Sequence, residues 1–487
     1  MKIAIAYPPI DTGKGVPLLS QNRQFQWFNS PTYIYPVVPA SAATLLKKNG
    51  YEVLWSDGIA EEKSYGEWLS EIKKEQPDVL VIETKTPVVK THWKIIEDLK
   101  NNGNHGWNLV TVLIGDHVTA LPQESMENSH VDFVITGGDY DFSLLSLCEH
   151  LSKGKELDAG IWYRSAGLIK NTGPFVLKED LNNLPFIDRD LTKWYLYSEK
   201  NGNYKKLPGT YTMAGRDCWY HKCTFCSWPT IYPSFRARKP ENLLDEIGIL
   251  IDKYGVKEVM DDSGTFPAGQ WLEEFCRGMI ERGYNKRISI DCNMRFGALS
   301  PEQYGLMREA GFRLLLFGIE SANPKTLERL NKGVTVETIV SSCKDARCAG
   351  LYPHITIMFG YPWEAYQDAL NTLNLGKWLL KKGYAWTMQA TVVIPYPGTP
   401  LFEECKAAGW LATTDWERYD MREAVMKTTM SSEQITNFVQ TIYSTAFSPE
   451  FLLRRFLAIR DLDDIKYFIR AGGKVLGHIF DFRSRGN

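Results

Sequence analysis

Long apolar runs are missing from this chain: none approaches the ~20 residues that a membrane-spanning helix needs. The apolar start, MKIAIAYPPI, is interrupted at once by Pro8 and Pro9, and no small-residue cleavage site follows. No secretory leader is therefore expected, and the reading is a cytoplasmic protein. An excess of either charge is also missing. Lys and Arg number 56 against 58 Asp and Glu, for a formal net charge of −2 and a pI near 6.5, so no global field draws the chain to nucleic acid. The nine cysteines are scattered save for one tight group, which argues against a secreted disulfide framework and for a reducing compartment. Internal repeats and low-complexity tracts are absent too.

What is present is ordinary globular material, 44% hydrophobic and 23% charged over 487 residues. That length suits roughly three domains of ~150 residues. Aromatic residues make up 13%, including 15 Trp, which serves either large cores or a wide pocket for a planar ligand.

From residue 1 to about 150, short apolar runs alternate with helix-like stretches. Strands are expected at Lys2–Tyr7, Glu52–Trp55, Val79–Ile82, Leu109–Ile114 and Phe133–Ile135, with helices at Ala40–Lys48, His92–Asn101 and Ser143–Leu151. This rhythm implies an α/β fold with a parallel, doubly wound sheet, in which ligands sit outside the strand C-termini. Residues 151–206 lose the rhythm and read as a connector. A second alternation over 207–409 has six strands, near Gly209–Met213, Glu258–Asp261, Ser289–Asn293, Leu314–Gly318, Ile355–Phe359 and Gln389–Ile394, as in a parallel partial barrel. Residues 410–487 are helical in pattern and carry no Gly-rich phosphate loop.

Cys218-Trp-Tyr-His-Lys-Cys223-Thr-Phe-Cys226 puts three thiols within nine residues, directly after an expected strand. Thiolates gathered on one loop are soft, anionic ligands that share a metal or a cluster. Three ligands on a four-iron cluster leave one iron open to another chelator. Two alternatives compete: a zinc site completed by His221, whose ring would have to fold back inside its own loop, and plain buried cysteines. Cys148, Cys276, Cys292, Cys343, Cys348 and Cys405 fall in helix- or strand-like contexts and read as packing residues.

The cysteine loop resembles the signature of the radical S-adenosylmethionine (SAM) enzymes, whose three cysteines bind a 4Fe-4S cluster with SAM chelating the fourth iron. It departs from the usual spacing: four residues, not three, separate Cys218 from Cys223. The likeness continues in chain order along the strand ends. Asp261-Asp262-Ser263-Gly264-Thr265-Phe266, Asn293-Met294-Arg295, Phe317-Gly318-Ile319-Glu320-Ser321, Met358-Phe359-Gly360-Tyr361-Pro362 and Pro395-Tyr-Pro-Gly-Thr-Pro400 each resemble the family's segment at that place. The resemblance implies SAM contacts at Phe225, Asp261, Asp262, Asn293, Arg295, Glu320, Ser321 and Gly360. Each motif alone arises by chance, an ordinary turn in the case of Pro397-Gly398-Thr399-Pro400; their order carries the weight.

The first 150 residues resemble the cobalamin-binding domain fused to such barrels, through Tyr7-Pro8-Pro9, Pro39 to Asp57, Pro77 to Pro87, Ile114 to Pro122 and Val134 to Asp139. Cobalamin contacts are implied at Pro9, Thr86, Gly115, Asp116, His117, Thr119, Gly137, Gly138 and Asp139. No Asp-x-His-x-x-Gly motif occurs, so a histidine below the cobalt is not expected, and His117 reads as facing solvent or the cofactor's tail. The alternative is a flavodoxin-like domain that only packs on the barrel.

The family resemblance implies three cofactors: a 4Fe-4S cluster, SAM and cobalamin. It implies a C-methyltransferase that acts on an unactivated carbon of a peptide residue, for example in methyl-coenzyme M reductase, or of a small natural product. An electron donor of flavodoxin or ferredoxin type would serve it. A ring-forming or ring-contracting enzyme is the alternative, and a non-enzymatic cobalamin or cluster sensor the answer of another class. The tail, Phe451 to Arg485, carries Arg454, Arg455, Arg460, Lys466, Arg470, Lys474, Arg483 and Arg485 diluted by Asp461, Asp463, Asp464 and Asp481, and reads as a solvated helical face rather than a membrane or acidic-partner surface.

Overall fold

The computed structural model describes residues 1–19, 25–101, 107–445, 449–457, 459 and 462–481. Its first layer is a seven-stranded sheet. Lys2–Tyr7 lies between Glu52–Asp57 and Val79–Glu83, and Val110–Ile114 and Phe133–Ile135 follow outward, all parallel. Along the first strand Ile3, Ile5 and Tyr7 face one core while Ala4 and Ala6 face another. The first core is closed by the helices Val37–Lys48 and Tyr140–Lys153, the second by Tyr65–Glu75 and Val89–Asn101. A strand covered on both faces reads as a continuous apolar run, which is why these strands are legible without alternation.

Several elements of the first domain escape the sequence reading, a helix and a hairpin among them. The helix Tyr65–Glu75 is short and mostly polar, burying only Trp68 and Ile72, yet its start is marked by a capping box between Ser64 and Glu67. The residues read as a connector contain a hairpin, Ile161–Ser165 and Leu168–Asn171, that pairs antiparallel onto Phe133–Ile135 and extends the sheet. Its outer strand is largely exposed, so it shows no hydrophobic pattern.

The second layer is a six-stranded parallel sheet in simple order: Gly209–Thr212, Glu258–Asp261, Ser289–Asn293, Phe312–Glu320, Tyr352–Phe359 and Thr387–Val392. Its first and last strands do not pair, so the barrel is partial. The α/β class, doubly wound sheet and partial barrel match the expectation. The fourth strand runs two residues past Gly318 to Glu320, with a register shift between Gly318 and Glu320 and a left-handed φ of 65° at Glu320. That irregularity turns the end of the strand at the motif's glutamate.

After the barrel the chain returns to the first domain, where Trp416, Tyr419 and Met421 pack in the core that holds Ala4 and Ala6. Helix Ser432–Thr445 then buries Ile435, Phe438, Val439 and Ile442 against the barrel, and helices Pro449–Leu457 and Leu462–Asp481 follow. Part of the basic tail docks rather than solvates. Arg455 stacks 3.5 Å from the Trp386 ring, and Arg470 donates to the carbonyls of Tyr204 and Lys205 at 3.3 and 3.0 Å. Lys466 is exposed, whereas the side chains of Arg454 and Lys474 and the residues Arg460, Arg483 and Arg485 lie outside the described residues. Among the described residues no helix is long and apolar enough to cross a membrane.

Candidate active site

The loop 217–226 leaves the first barrel strand through Gly215–Arg216, which pairs antiparallel with Arg236–Ala237 and fixes its base. Two non-glycine residues in it adopt left-handed backbone, Asp217 at φ 78° and His221 at φ 52°, and the His221 ring bonds the Asp217 carboxylate. Left-handed turns of this kind take up the extra residue between Cys218 and Cys223. The loop is pinned to the SAM-motif segments around it. Gly264 donates to the Asp217 carbonyl at 3.0 Å, Tyr220 hydroxyl to the Asn331 carbonyl at 2.8 Å, and Thr224 N–H to the Leu330 carbonyl at 3.0 Å.

Cys218, Cys223 and Cys226 are free thiols, and all three line one cavity of about 400 Å³ at the C-terminal edge of the barrel. Burial pushes the thiols of Cys223 and Cys226 above their usual range, helped by the charge of Glu320 and Cys218 at Cys223 and by that of Cys223 and Cys218 at Cys226. These two thiols are neutral alone and would ionise on cationic iron. Among the described residues, no three His, Cys, Asp or Glu are gathered tightly enough to hold a single ion, and His221 is engaged with Asp217. The donor set therefore fits a multi-iron cluster better than a zinc ion, whose thiolates crowd one centre at about 2.3 Å. Of the remaining cysteines five are buried, as packing residues are; Cys348 is exposed.

Of the residues expected to meet SAM, Phe225, Asp262, Asn293, Arg295 and Glu320 line this cavity, and Asp261, Ser321 and Gly360 do not. Asp261 is buried beneath it and accepts from the N–H groups of Ala214 and Ser263 at 2.6 and 3.0 Å, with burial raising its pKa to about 6. Ser321 donates to Glu364 at 2.6 Å and accepts from Asn323 N–H, shaping the turn after the glutamate. Gly360, at φ 100°, sits below the side chain of Ile435. Sequence reasoning missed Lys332. It lies in the Asn331-Lys332-Gly333 turn, and its ammonium meets Glu320 at 2.8 Å beside Cys223. Burial opposes its charge, but Glu320 and Cys223 outweigh that and raise its pKa. Arg295 stacks 3.5 Å from the Tyr220 ring and donates to the Lys332 and Gly333 carbonyls, tying the third strand end to the cysteine loop. A cavity with two acids, two cations, several carboxamides and three thiols suits the zwitterionic head of SAM beside a cluster.

None of the nine residues expected to meet cobalamin lines the cavity. Asp139 and Gly138 meet the barrel, and most of the others are engaged within the first domain. Asp139 pairs with Arg216 at 2.7 Å and with Arg236 at 2.6 and 2.8 Å, and Arg216 also holds Asp141. A Cβ on Gly138 would strike the Tyr232 ring, whose hydroxyl donates to the Gly138 carbonyl at 3.0 Å; one on Gly137 would strike Phe175. Gly115, at φ 128°, approaches the Thr84 carbonyl too closely for any Cβ, and Thr119 links the Gly115 carbonyl to Gly137 N–H. Asp116 pairs with buried Lys85 at 3.2 Å, and Pro9 packs on Gly58. His117, expected to face solvent or a cofactor tail, is instead enclosed: it bonds Thr86 at 3.2 Å and Glu124 at 3.3 Å and lies against the Trp416 ring. In this closed arrangement the set does not form a cradle for a corrin, which would require the domains to part at the Asp139 and Tyr232 contacts.

Comparison with known proteins supplies the class. Residues 214–376 match the radical SAM superfamily model. An uncharacterized methyltransferase of Pyrococcus horikoshii is 28% identical over 440 residues, 89% of this chain and 91% of that protein. An anaerobic magnesium-protoporphyrin IX monomethyl ester cyclase of Cereibacter sphaeroides is 25% identical over 78% of this chain and 62% of its own length. A bacteriochlorophyllide d C-12(1)-methyltransferase of Chlorobaculum tepidum is 30% identical over 41% of the chain and 42% of its own. Among solved structures, the cobalamin-dependent SAM radical enzyme OxsB superposes with a TM-score of 0.71 at 14% identity, covering 98% of this chain and 71% of that one. The radical SAM methyltransferase TsrM of Kitasatospora setae gives 0.64 at 16%, covering 85% and 76%.

Residues 214–376 of the chain form a radical SAM domain. The arrangement of a doubly wound domain on a partial barrel is the fold of OxsB and TsrM.

Proposed function

We propose that the chain is a cobalamin-dependent radical SAM C-methyltransferase that acts on an unactivated sp³ carbon. The observation that carries this reading is the gathering of Cys218, Cys223 and Cys226 with Asp262, Asn293, Arg295, Glu320 and Lys332 around one cavity under the edge of the first domain. Near-full-length likeness to a methyltransferase supports it. When bound, the cluster supplies the electron that cleaves SAM, and cobalamin supplies a carrier for the methyl group.

The chain's own residues bind, orient and enclose. The three thiolates hold the cluster and leave one iron for SAM. Glu320 and Lys332, paired and buried, offer opposite charges to the ammonium and carboxylate of the SAM head, and Asn293 and Asp262 stand on the neighbouring strand ends. Phe225, between the second and third cysteines, contributes an apolar wall that keeps water from the radical. The reductant is a flavodoxin- or ferredoxin-type protein, and the setting an anaerobic cytoplasm. The acceptor is a small natural product or a peptide residue. The cyclase of Cereibacter sphaeroides favours ring formation as the second reading.

Anaerobic turnover with SAM deuterated in its methyl group tests the proposal. Methyl transfer predicts a labelled product and about equal 5′-deoxyadenosine and S-adenosylhomocysteine. Formation of 5′-deoxyadenosine without S-adenosylhomocysteine or label refutes it in favour of the cyclase.

A further inference from the structure

The cysteine loop has a second side that the cavity does not use. Cys218, Cys223, Phe225 and Cys226 line the cavity, whereas Lys222, between the first two cysteines, is exposed and lies outside it. Thr224, next to Cys223, ties the loop to its neighbours. Its N–H donates to the Leu330 carbonyl at 3.0 Å, its hydroxyl donates to the Arg329 carbonyl at 3.3 Å, and its carbonyl accepts from Leu401 N–H at 2.9 Å. The exposed guanidinium of Arg329 lies 4.1 Å from the Trp363 ring and 5.0 Å from the Trp410 ring. Both indoles are half-buried, and neither they nor Arg329 line the cavity. Trp363 stacks on buried Tyr361 with ring centres 5.4 Å apart, and Tyr361 is close enough to Cys223 to feel its charge. Packed aromatic rings thus run from this surface to a cluster ligand.

Charge on this face leans one way. Segments 219–224 and 329–335 carry Lys222, Arg329 and Lys332 and no acid. Arg295 adds a cation against the Tyr220 ring. The acids beneath are paired, Glu320 with Lys332 and Asp217 with His221. On the flanking helices Lys325 offsets Glu328 and Lys406 offsets Glu403, all four exposed, and Glu404 meets Arg329 at 2.5 Å. Lys222 has for a charge partner only the Tyr220 ring, at 5.9 Å, among the described residues.

We infer that the face made by Lys222, Arg329, Trp363 and Trp410 is the docking site of the protein that reduces the cluster, a small one-electron carrier with an acidic surface around its redox group. This rests on the reading of the three thiols as a cluster site and gives its electron donor a place. In the step served, the donor loses one electron and the cluster gains it, with no bond made or broken. A donor seated here has the thickness of the cysteine loop between its redox group and the cluster, and the cavity side stays free for SAM and acceptor. Tryptophan and arginine are the side chains that anchor protein interfaces, and opposite charge speeds and orients the encounter.

The test uses the full chain with its cluster reconstituted. Loss of cluster absorbance is followed in stopped flow after mixing with reduced flavodoxin, with reduced ferredoxin, or with dithionite, which needs no docking. The protein donors should give saturable rates that fall as salt rises from about 20 to about 300 mM. Lys222→Glu with Arg329→Gln should lower the protein-driven rate constant about tenfold, and Lys222→Glu alone about threefold. Both variants should keep the dithionite rate, the iron content and the melting temperature of the parent. Lys48→Glu, on an exposed site of the first domain, should change none of these. An unchanged protein-driven rate in Lys222→Glu overturns the inference, as does an equal fall with dithionite or in Lys48→Glu. So does failure of both protein donors on a parent cluster that dithionite reduces. A parent chain that takes up no iron overturns the cluster reading instead, so the two failures are distinct.

Discussion

Replacing Arg216 with Met should loosen the first domain from the barrel and destabilise the chain by about 3–5 kcal/mol. Arg216 is 3% exposed and bridges Asp139 at 2.7 Å and Asp141 at 3.0 Å. Burial works against all three charges, yet the mutual attraction of Arg216, Asp141 and Asp139 wins and raises the guanidinium pKa. The two carboxylates fare differently when the arginine goes. Asp139 keeps Arg236 at 2.6 and 2.8 Å, but Asp141 retains only the N–H of Phe142. One buried carboxylate is thus stripped of its counter-ion, and removal of one partner from a buried pair costs about 3–5 kcal/mol. In a unit of ~150 residues each kcal/mol moves the melting temperature by about 2–4 °C, so a fall of roughly 10 °C is expected in the transition of the first domain. Hydrogen exchange should quicken at 137–141 and 228–232 before it does in the barrel core. Because a corrin needs the same contacts to part, hydroxocobalamin uptake by apo Arg216→Met should be faster than by the parent. The double variant Arg216→Met with Asp141→Asn should recover much of the loss, since a neutral amide tolerates the site. A loss below about 1 kcal/mol, or no recovery in the double variant, would refute the argument.

Three further outcomes follow from the site. Ala at Cys218, Cys223 and Cys226 together should abolish the roughly four irons and four sulfides per chain expected on anaerobic reconstitution, whereas Cys348→Ala should retain them. Lys332→Met should weaken SAM binding by about tenfold or more, as a charge-assisted contact is worth roughly 1.5–3 kcal/mol, with iron content unchanged; unchanged SAM affinity in equilibrium dialysis refutes the role. Burial raises the Glu83 pKa to about 7 against the partial relief of Lys85. From an ordinary value of 4.5 that is a folded state that prefers the protonated acid, so its contribution falls as pH rises from about 4.5 to 7. Glu83→Gln should therefore gain stability over the parent across that window, by up to about 3 kcal/mol, and denaturant midpoints that stay parallel from pH 4.5 to 8 count against it.

How much was legible differs between the two domains for a physical reason. Strands buried on both faces, such as Lys2–Tyr7 and Val79–Glu83, declare themselves as apolar runs wherever they lie, and all eleven expected strands are found. The hairpin Ile161–Asn171 could not be read because its outer strand buries almost nothing. The cysteines were legible because their chemistry is local: three ligands on one loop need only each other. Glu320, Asn293, Arg295 and Asp262 were legible because they end or follow three successive strands, and a parallel barrel brings successive strand ends to one mouth. Lys332 obeys no such rule. It stands in a turn twelve residues beyond Glu320, and only the folding back of Pro324–Arg329 and that turn brings its ammonium to the carboxylate. The cobalamin set is of another kind. Its glycines sit at strand ends as expected, but strand-end glycine permits close approach by anything, and here Tyr232, Phe175 and the Thr84 carbonyl take the space. Sequence shows where backbone can be approached; which group approaches is decided by the neighbouring domain, and Arg216 and Tyr232 show that it is the flanks of the cysteine loop that hold the cofactor domain in place.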